Sequence, residues 1–332
     1  MELREILAAI AVSPRKAAAK LQSPQLRVRG NLMDDQFGHP VSRLLLADVA
    51  NLFKNTKIFA SQDRHIIFVC GGNGRGSMRV RFMKYARAEI PDMRMFLAES
   101  AAKDLLTHGE PAPLEVADFE GLIADISDCV LIFPESPGSI AEVSYFCHSV
   151  NIRTKILVVG NTRLQAKDSF INLGPVAILD RESTFRRAIL TDYQAPDFSL
   201  IRERLKLRLP SRSRKSFEYK PFPELAAKSK FFVLFEIIRI FGVINLDGVQ
   251  KCVYEAFGPT DIKEVKRLLS ILCASAYVSR VGVDNQYLCL AKKGHTFLQY
   301  SRSTFDGLTT RVADYYREHE ATAYALLAGV TR

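Results

Sequence analysis

Residues 128–146, DCVLIFPESPGSIAEVSYF, constrain the fold of this chain more than any other segment. The apolar run from Cys129 to Phe133 is typical of a buried strand in a parallel sheet, because such strands are covered on both faces. Pro134 to Gly138 breaks that strand, and the residues from Ser139 onward predict a helix. Glu142 then lies near the start of the helix, just beyond the carboxyl end of the strand, where open α/β sheets bind their ligands.

Spacing alone leaves two interpretations of Glu142 open. Ser139 and Glu142 have the spacing of a capping box, in which both side chains satisfy free amides of the first helical turn. A carboxylate in this place also suits a nucleophile that attacks the anomeric carbon of a sugar–base bond. Glu135, in the preceding loop, is a candidate to orient a sugar hydroxyl or to raise the pKa of Glu142 by like charge.

Strands and helices alternate through the first 200 residues, which predicts an α/β fold with a doubly wound, mostly parallel sheet. The predicted strands are His65–Cys70, Arg94–Ala98, Cys129–Phe133 and Lys155–Val159. The predicted helices are Met1–Leu21, Ser42–Phe53, Ser77–Ile90 and Leu114–Ile126.

A glycine-rich loop, residues 71–76 (GGNGRG), follows the first of these strands. Backbone amides of such a loop and of the next helix can hold a phosphate. The loop lacks the GK[ST] ending of a P-loop and matches the Rossmann fingerprint only in part, so a flexible turn is the alternative. Together with the turn before Glu142, it gives a predicted substrate-binding set of Gly71, Gly72, Asn73, Gly74, Arg75, Arg79, Ser136, Gly138 and Ser139.

The net charge of +10 is concentrated between residues 201 and 220, IRERLKLRLPSRSRKSFEYK. Such a cluster attracts phosphate backbones by counterion release. A solvated linker is the alternative, because Pro210, Ser211 and Ser213 are linker residues. The segment also predicts the domain boundaries: residues 1–200, a basic linker 201–221, and residues 222–332.

The C-terminal third predicts three helices and a β-hairpin. Helices are expected over Phe222–Phe241, over Asn245–Phe257 and from Thr260 to Cys273, with a hairpin around Asp284-Asn285 and a last helix over Thr304–Leu327. This order resembles a winged helix–turn–helix, and a protein-interaction module of the same topology is the alternative. The predicted nucleic-acid contacts are Arg212, Arg214, Lys215, Lys263, Lys266 and Arg267.

Composition favours a cytoplasmic protein. Six cysteines lie singly in apolar segments, which is typical of buried thiols and not of disulfides or a zinc site. No apolar run approaches the roughly 20 residues that span a bilayer. We therefore expect no membrane association, and the sequence indicates no metal and no bound cofactor.

The segment around Glu142 resembles the nucleoside 2-deoxyribosyltransferase superfamily, in a strand ending with Pro, a small-residue turn and then Ala-Glu-Val-Ser-Tyr. The resemblance implies that Glu142 attacks the anomeric carbon. It also implies that Asn172 completes the sugar site, often from a neighbouring subunit, and hence a homo-oligomer. Ser136 stands where the family has an aspartate, which affects 2-deoxyribose transfer more than hydrolysis of a related N-glycosidic bond.

The combination of the SPGSIAE segment, the basic linker and the C-terminal winged helix resembles the effector proteins of bacterial retrons. That resemblance implies an antiphage toxin that cleaves the N-glycosidic bond of NAD or a related nucleotide. It also implies partners that hold the toxin inactive, the retron reverse transcriptase and its RNA–DNA hybrid. Two other functions stay open: a metabolic nucleoside or nucleotide transferase, and a nucleotide-sensing winged-helix transcription regulator.

Overall fold

The computed structural model describes residues 36–61, 64–108, 115–164, 169–210, 214–292 and 294–331. The strands are β1 (Phe59–Ala60), β2 (His65–Cys70), β3 (Met93–Phe96), β4 (Cys129–Ile132), β5 (Ile156–Asn161), β6 (Ile189–Thr191), β7 (Lys215–Ser216), β8 (Val243–Asn245), β9 (Val278–Val281), β10 (Tyr287–Leu290) and β11 (Leu298–Gln299). The helices are α1 (Ser42–Asn55), α2 (Met78–Glu89), α3 (Ala98–His108), α4 (Val116–Ile126), α5 (Pro137–His148), α6 (Val150–Arg153), α7 (Ala177–Glu182), α8 (Ser199–Arg208), α9 (Ala227–Phe241), α10 (Leu246–Phe257), α11 (Ile262–Ala274), α12 (Arg302–His319) and α13 (Ala321–Thr331). The predicted helix Met1–Leu21 and the predicted contact residue Arg212 lie outside the described residues.

Five parallel strands form the main sheet in the order β3-β2-β4-β5-β6. The chain moves from β2 to β3 on one side and from β4 to β5 and β6 on the other, so the strand order reverses between β2 and β4. Both of these strands are buried along their whole length, as their continuous apolar sequences predict. The predicted parallel sheet is therefore confirmed, and its switch point lies between β2 and β4.

Helices cover both faces of this sheet. Ile67 of β2 belongs to a buried cluster that includes Phe82 of α2 and Leu205 of α8. The next residue, Phe68, points to the opposite face and meets Phe146 of α5, with the ring centroids 6.2 Å apart. The side chains of successive residues in one strand are thus buried on opposite faces of the sheet, and the sheet separates two layers of helices.

A second, antiparallel sheet forms in the C-terminal third. Its order is β8-β10-β9, and the three helices α9, α10 and α11 accompany it. The hairpin predicted around Asp284 and Asn285 is confirmed, and both residues have positive φ, at 55° and 56°. Two helix predictions were too long. Phe222–Glu224 forms a 3-10 turn around Pro223 and α9 begins only at Ala227, while the predicted last helix divides at Glu320 into α12 and α13.

The first part of the predicted basic linker is helical. Helix α8 buries Ile201 and Leu205 in the main core, and its Arg202 lies 3.2 Å from Glu89 of α2. The described residues belong to one unit, Gln36–Arg332. The division into residues 1–200, 201–221 and 222–332 stays a prediction.

All six cysteines are free thiols in the described part of the chain. No group of three or more His, Cys, Asp and Glu side chains within that part is arranged to hold a metal ion. None of the described helices is both long enough and apolar enough to cross a bilayer.

Candidate active site

Four helices begin at the carboxyl edge of the parallel sheet, around the switch point. Helices α2, α3 and α5 follow β2, β3 and β4, so each starts where its strand ends. Helix α4 leads into the start of β4, and its own first turns therefore lie at the carboxyl edge. Helix N-termini carry partial positive charge and favour anionic groups. The early turns of these helices supply Arg79, Glu99, Glu120 and Glu142.

The capping residues of α5 differ from the predicted pair. Ser136 is the N-cap, its Oγ accepts a hydrogen bond from the Ser139 amide at 3.2 Å, and the Ser139 Oγ accepts one from the Ser136 amide at 3.0 Å. Pro137 starts the helix, so Glu142 lies in its second turn. Of the two interpretations of Glu142, the Ser139–Glu142 capping box is therefore wrong, because the helix begins two residues earlier than expected. Glu142 is free of any capping role.

Glu142 is a largely buried carboxylate. Its Oε2 has no hydrogen-bond partner among the described residues. Burial raises the pKa of Glu142 to about 7; Arg79 lowers it, the charge of Glu99 raises it, and the thiol of Cys70 lowers it. At neutral pH the carboxyl group is therefore poised between its two protonation states, as an active-site group often is.

Arg79 is bound to protein groups. Its Nη1 lies 2.6 Å from Glu99 Oε1, and its Nε donates to the Gly72 carbonyl at 3.0 Å. Arg79 is only 7% exposed. Its charge thus partly neutralises the neighbouring glutamates. The sequence predicted that Arg79 binds the substrate, but the structure does not leave this side chain free for a phosphate.

Glu120 is a second carboxyl group at this site, and sequence reasoning missed it. Burial raises the pKa of Glu120 to about 8, helped by the charges of Glu142 and Glu99 and opposed by Arg79. Glu120 is therefore mostly protonated at neutral pH, and it lies near enough to Glu142 for the charge of Glu142 to raise its pKa. One signal was present in the sequence: Glu120 follows Phe119 early in a helix that leads into the central strand, and such a helix begins at the ligand edge.

Glu135 fills the anion position that the glycine loop was expected to offer a phosphate. Its carboxylate accepts hydrogen bonds from the amides of Gly72 (3.0 Å), Met78 (2.7 Å) and Arg79 (3.2 Å). These amides include the first turn of α2, so the positive end of that helix is already satisfied. Burial and Glu99, and not the charge of Glu135, raise the pKa of Glu142.

The first two residues of the glycine loop lie close to the start of α2, since the Gly72 carbonyl accepts hydrogen bonds from Ser77 Oγ at 2.7 Å and from Arg79 Nε at 3.0 Å. A Cβ on Gly71 would lie 2.9 Å from Arg79 Cβ, and its φ of +153° also disfavours a side chain. Asn73, Gly74 and Arg75 are exposed. Of the predicted substrate-binding residues, the structure therefore leaves these three and Gly138 open to solvent. Ser136, Gly138 and Ser139 form the start of α5, the helix that carries Glu142.

Asn172 begins a π-helical turn, Asn172–Val176, where the sequence predicted a loop. This turn packs against α5. Phe170, just before the turn, and Leu173, within it, are 82% and 67% exposed. Asn172 thus lies next to the helix that carries Glu142, within an exposed apolar surface.

The predicted nucleic-acid contacts fall in two places. Arg214 and Lys215 are exposed at β7. Lys263, Lys266 and Arg267 lie on α11, and this helix packs closely against α3 of the parallel-sheet region. The remaining predicted contact, Arg212, is not among the described residues.

The chain matches the model of a family described as STM3845 retron effector protein, over residues 75–280. Two curated Escherichia coli proteins are similar to parts of it, each named as a candidate ribosyltransferase/DNA-binding protein of a retron. The protein of retron Ec86 is 34% identical over 116 residues, which are 34% of this chain and 36% of that protein. The protein of retron Ec73 is 27% identical over 150 residues, 44% of this chain and 48% of that protein. The chain thus spans between about one third and one half of the length of these relatives.

Proposed function

This chain belongs to the STM3845 retron effector family, and we propose that it is an antiphage effector that cleaves the N-glycosidic bond of NAD or a related nucleotide. One observation carries the chemistry: Glu142 is a largely buried carboxylate at the ligand edge of the sheet, and its Oε2 has no hydrogen-bond partner among the described residues. The names of the two relatives, as candidate ribosyltransferases, support glycosyl transfer at such a group.

In the proposed reaction the ionised Glu142 attacks the anomeric carbon C1′. A bond forms between a Glu142 oxygen and C1′ while the C1′–N bond breaks, and the electron pair of that bond leaves with the base. Where the base leaves as an anion, the protonated Glu120 donates a proton to it. Nicotinamide leaves NAD neutral and needs no such proton. Water then attacks C1′ and frees Glu142. The proton of the water passes to the Glu120 carboxylate where Glu120 has protonated the base, and to solvent in the NAD reaction, where Glu120 has kept its proton.

The test is turnover of NAD and of nucleoside monophosphates by the purified chain, with products separated by chromatography. We expect Glu142→Gln to lower kcat by about 10³-fold or more, since it removes the nucleophile and keeps the shape. Glu89→Gln, which changes an exposed carboxylate at the end of α2, is the matched control. A folded Glu142→Gln protein with wild-type turnover would exclude Glu142 as nucleophile.

Hydrolysis and transfer are separated by adding a free base to the same assay. Water as acceptor gives the free sugar phosphate, or ADP-ribose from NAD, whereas transfer gives a new nucleotide. We propose hydrolysis, because Ser136, the N-cap of α5, stands where the transferases have an aspartate. Formation of the exchanged nucleotide as the main product would instead favour a nucleoside or nucleotide transferase.

We propose that the retron reverse transcriptase and its RNA–DNA hybrid hold this effector inactive and that the chain binds DNA. The order helix, strand, two helices, two strands from α9 to β10 resembles that of a winged helix, and the names of both relatives include DNA binding, which supports the proposal. Co-purification of the tagged chain with the reverse transcriptase, before and after nuclease treatment, tests the assembly. The packing of α11 against α3 disfavours a transcription regulator that inserts this helix into a major groove.

We also propose that the chain forms a homo-oligomer through the surface around Asn172. The support is the exposure of Phe170 and Leu173 beside the helix that carries Glu142. The molar mass from light scattering tests this. Phe170→Ser should shift it toward the monomer, and a wild-type monomer at micromolar concentration would contradict the proposal.

A further inference from the structure

A groove of about 440 Å³ beside the start of α12 combines arginine side chains with aromatic rings. We define the arginine–aromatic groove by Arg214, Arg239, Tyr300, Arg302 and Phe305. We propose that it binds single-stranded DNA, with a nucleobase stacked on its aromatic floor and phosphates held by the arginines of its rim. The inference rests on the DNA binding proposed above and gives it a surface that does not include α11.

The floor of the groove is a fixed stack of planar groups. Glu236 is completely buried, and Arg239 donates to it through Nε at 2.9 Å and through Nη2 at 2.7 Å. The Tyr300 hydroxyl donates to the same carboxylate at 2.5 Å. The Arg239 guanidinium then lies 3.9 Å from the centre of the Phe305 ring. Because a buried charge holds this arrangement together, the π faces are ordered before any ligand arrives.

The rim supplies the cations that can reach phosphates. Arg239 is balanced by Glu236, so the available charges are those of Arg214 and Arg302. The Arg302 side chain is 93% exposed, and its 3.5 Å pair with the exposed Asp306 is weak enough to be exchanged for a phosphate.

The shape of the groove favours an unpaired strand. Stacking on an aromatic side chain requires an open base face, which a duplex hides between its base pairs. The volume of about 440 Å³ is in the range of sites that take small ligands, and thus suits one nucleotide but not a double helix. Directly after Arg214, β7 lies at the edge of the β11-β1-β7 sheet with Lys215 and Ser216 exposed, which extends the cationic path for a backbone.

Of the three basic residues on α11 that the sequence predicted as nucleic-acid contacts, only Lys263 is exposed. Lys266 lines a small cavity together with His108 of α3 and Arg280 of β9. Both Lys266 and Arg267 are only partly exposed, because α11 packs against α3. The arginine–aromatic groove, in contrast, offers a DNA strand exposed cations and aromatic rings together.

The first experiment measures fluorescence anisotropy of a fluorescein-labelled oligothymidine with the full chain. Phe305→Leu keeps an apolar side chain under Arg239 and removes the ring, and it should weaken binding roughly tenfold. Tyr254→Leu is the matched control, since Tyr254 is an exposed aromatic residue on α10 outside the groove. Thermal unfolding of each variant checks that the fold is kept. Equal affinity of wild type and a folded Phe305→Leu protein would overturn the proposal.

The rim is tested by the salt dependence of the same binding. Arg214→Ser and Arg302→Ser should each lower the log–log slope by about 0.7, the value for one single-strand phosphate. Arg317→Ser, an exposed arginine of α12 outside the groove, should leave it unchanged. Tighter binding of the matching duplex or of oligouridine would overturn the choice of single-stranded DNA. No binding to any nucleic acid would remove this inference and the proposed DNA binding, while the Glu142→Gln assay would still decide the enzymatic proposal.

Discussion

Asp104 and Arg280 form a two-bond ion pair that joins α3 to the hairpin of β9 and β10. Arg280 Nε and Nη2 lie 3.0 and 2.8 Å from the two Asp104 oxygens. Asp104 follows Glu99 by five residues on the same helix, and Glu99 pairs with Arg79 in the candidate active site. Helix α3 thus contacts the C-terminal hairpin through Asp104 and the candidate active site through Glu99.

Arg280→Met should destabilise the fold by about 3 kcal/mol, because it leaves the mostly buried Asp104 without its arginine partner. Urea unfolding of the full chain measures this. Arg317→Met, which breaks an exposed pair with Asp314, should cost under about 1 kcal/mol. The double variant Asp104→Leu with Arg280→Met should recover part of the loss, and a larger loss would mean that the two side chains act separately.

The pH dependence of kcat/KM should depend on the leaving base. Glu142 must be ionised to attack, so the rate should rise as the pH passes its pKa of about 7. For a nucleotide whose base needs a proton, the rate should fall again above about 8, where Glu120 ionises. For NAD the falling limb should be absent, because nicotinamide leaves neutral.

The variant Glu120→Gln distinguishes the rising limb of the pH profile from the falling limb. The variant keeps the rising limb set by Glu142 and cannot lose a proton above pH 8, so the falling limb should disappear for every nucleotide. Its rate on substrates that need the proton should drop by about 10²-fold. An unchanged bell-shaped profile in Glu120→Gln would assign the falling limb to another group.

Glu120 should also make the protein less stable in alkali. Its folded pKa of about 8 lies above the unfolded value, so the folded state binds more protons and stability falls as the pH rises from about 4.5 to 8. Glu120→Gln removes this loss and should gain on the order of 2 kcal/mol relative to wild type at pH 9. Thermal unfolding at pH 5 and pH 9 measures it. A gain of the same size at pH 5 would point to packing instead of charge.

The strands of the main sheet were predictable because their residues are apolar without interruption. His65–Cys70 was predicted to the residue, since a strand covered on both faces needs no polar alternation and Gly71 ends it sharply. The position of Glu142 was predictable for a related reason, because a carboxylate shortly after such a strand lies at the ligand edge wherever the helix begins. The first residue of α5 was not predictable, since Ser136 and Ser139 both suit an N-cap.

The positions and partners of the Glu135 and Glu120 side chains depend on contacts between distant parts of the chain. Glu135 binds the amide of Gly72, 63 residues away, and nothing in the local sequence distinguishes it from a loop residue facing a substrate. Glu120 becomes part of the site only because four helices begin at one edge. The sequence gives the order of those helices, whereas the distances between their side chains are set by packing across the sheet.

Asp128, at the opposite edge of the sheet, should contribute stability that acid removes. Burial opposes its ionisation, but hydrogen bonds with His65, Lys228 and the Ile66 amide outweigh burial and hold its pKa well below the usual range. The contribution is therefore present above the unfolded pKa of about 3.8 and declines as the pH falls below it. Asp128→Asn should cost about 3 kcal/mol in urea unfolding at pH 7 and clearly less at pH 2.5. Asp118→Asn, at an exposed position on α4, is the control. A cost that stays constant down to pH 2.5 would show that Asp128 acts through its hydrogen-bond geometry and not through its charge.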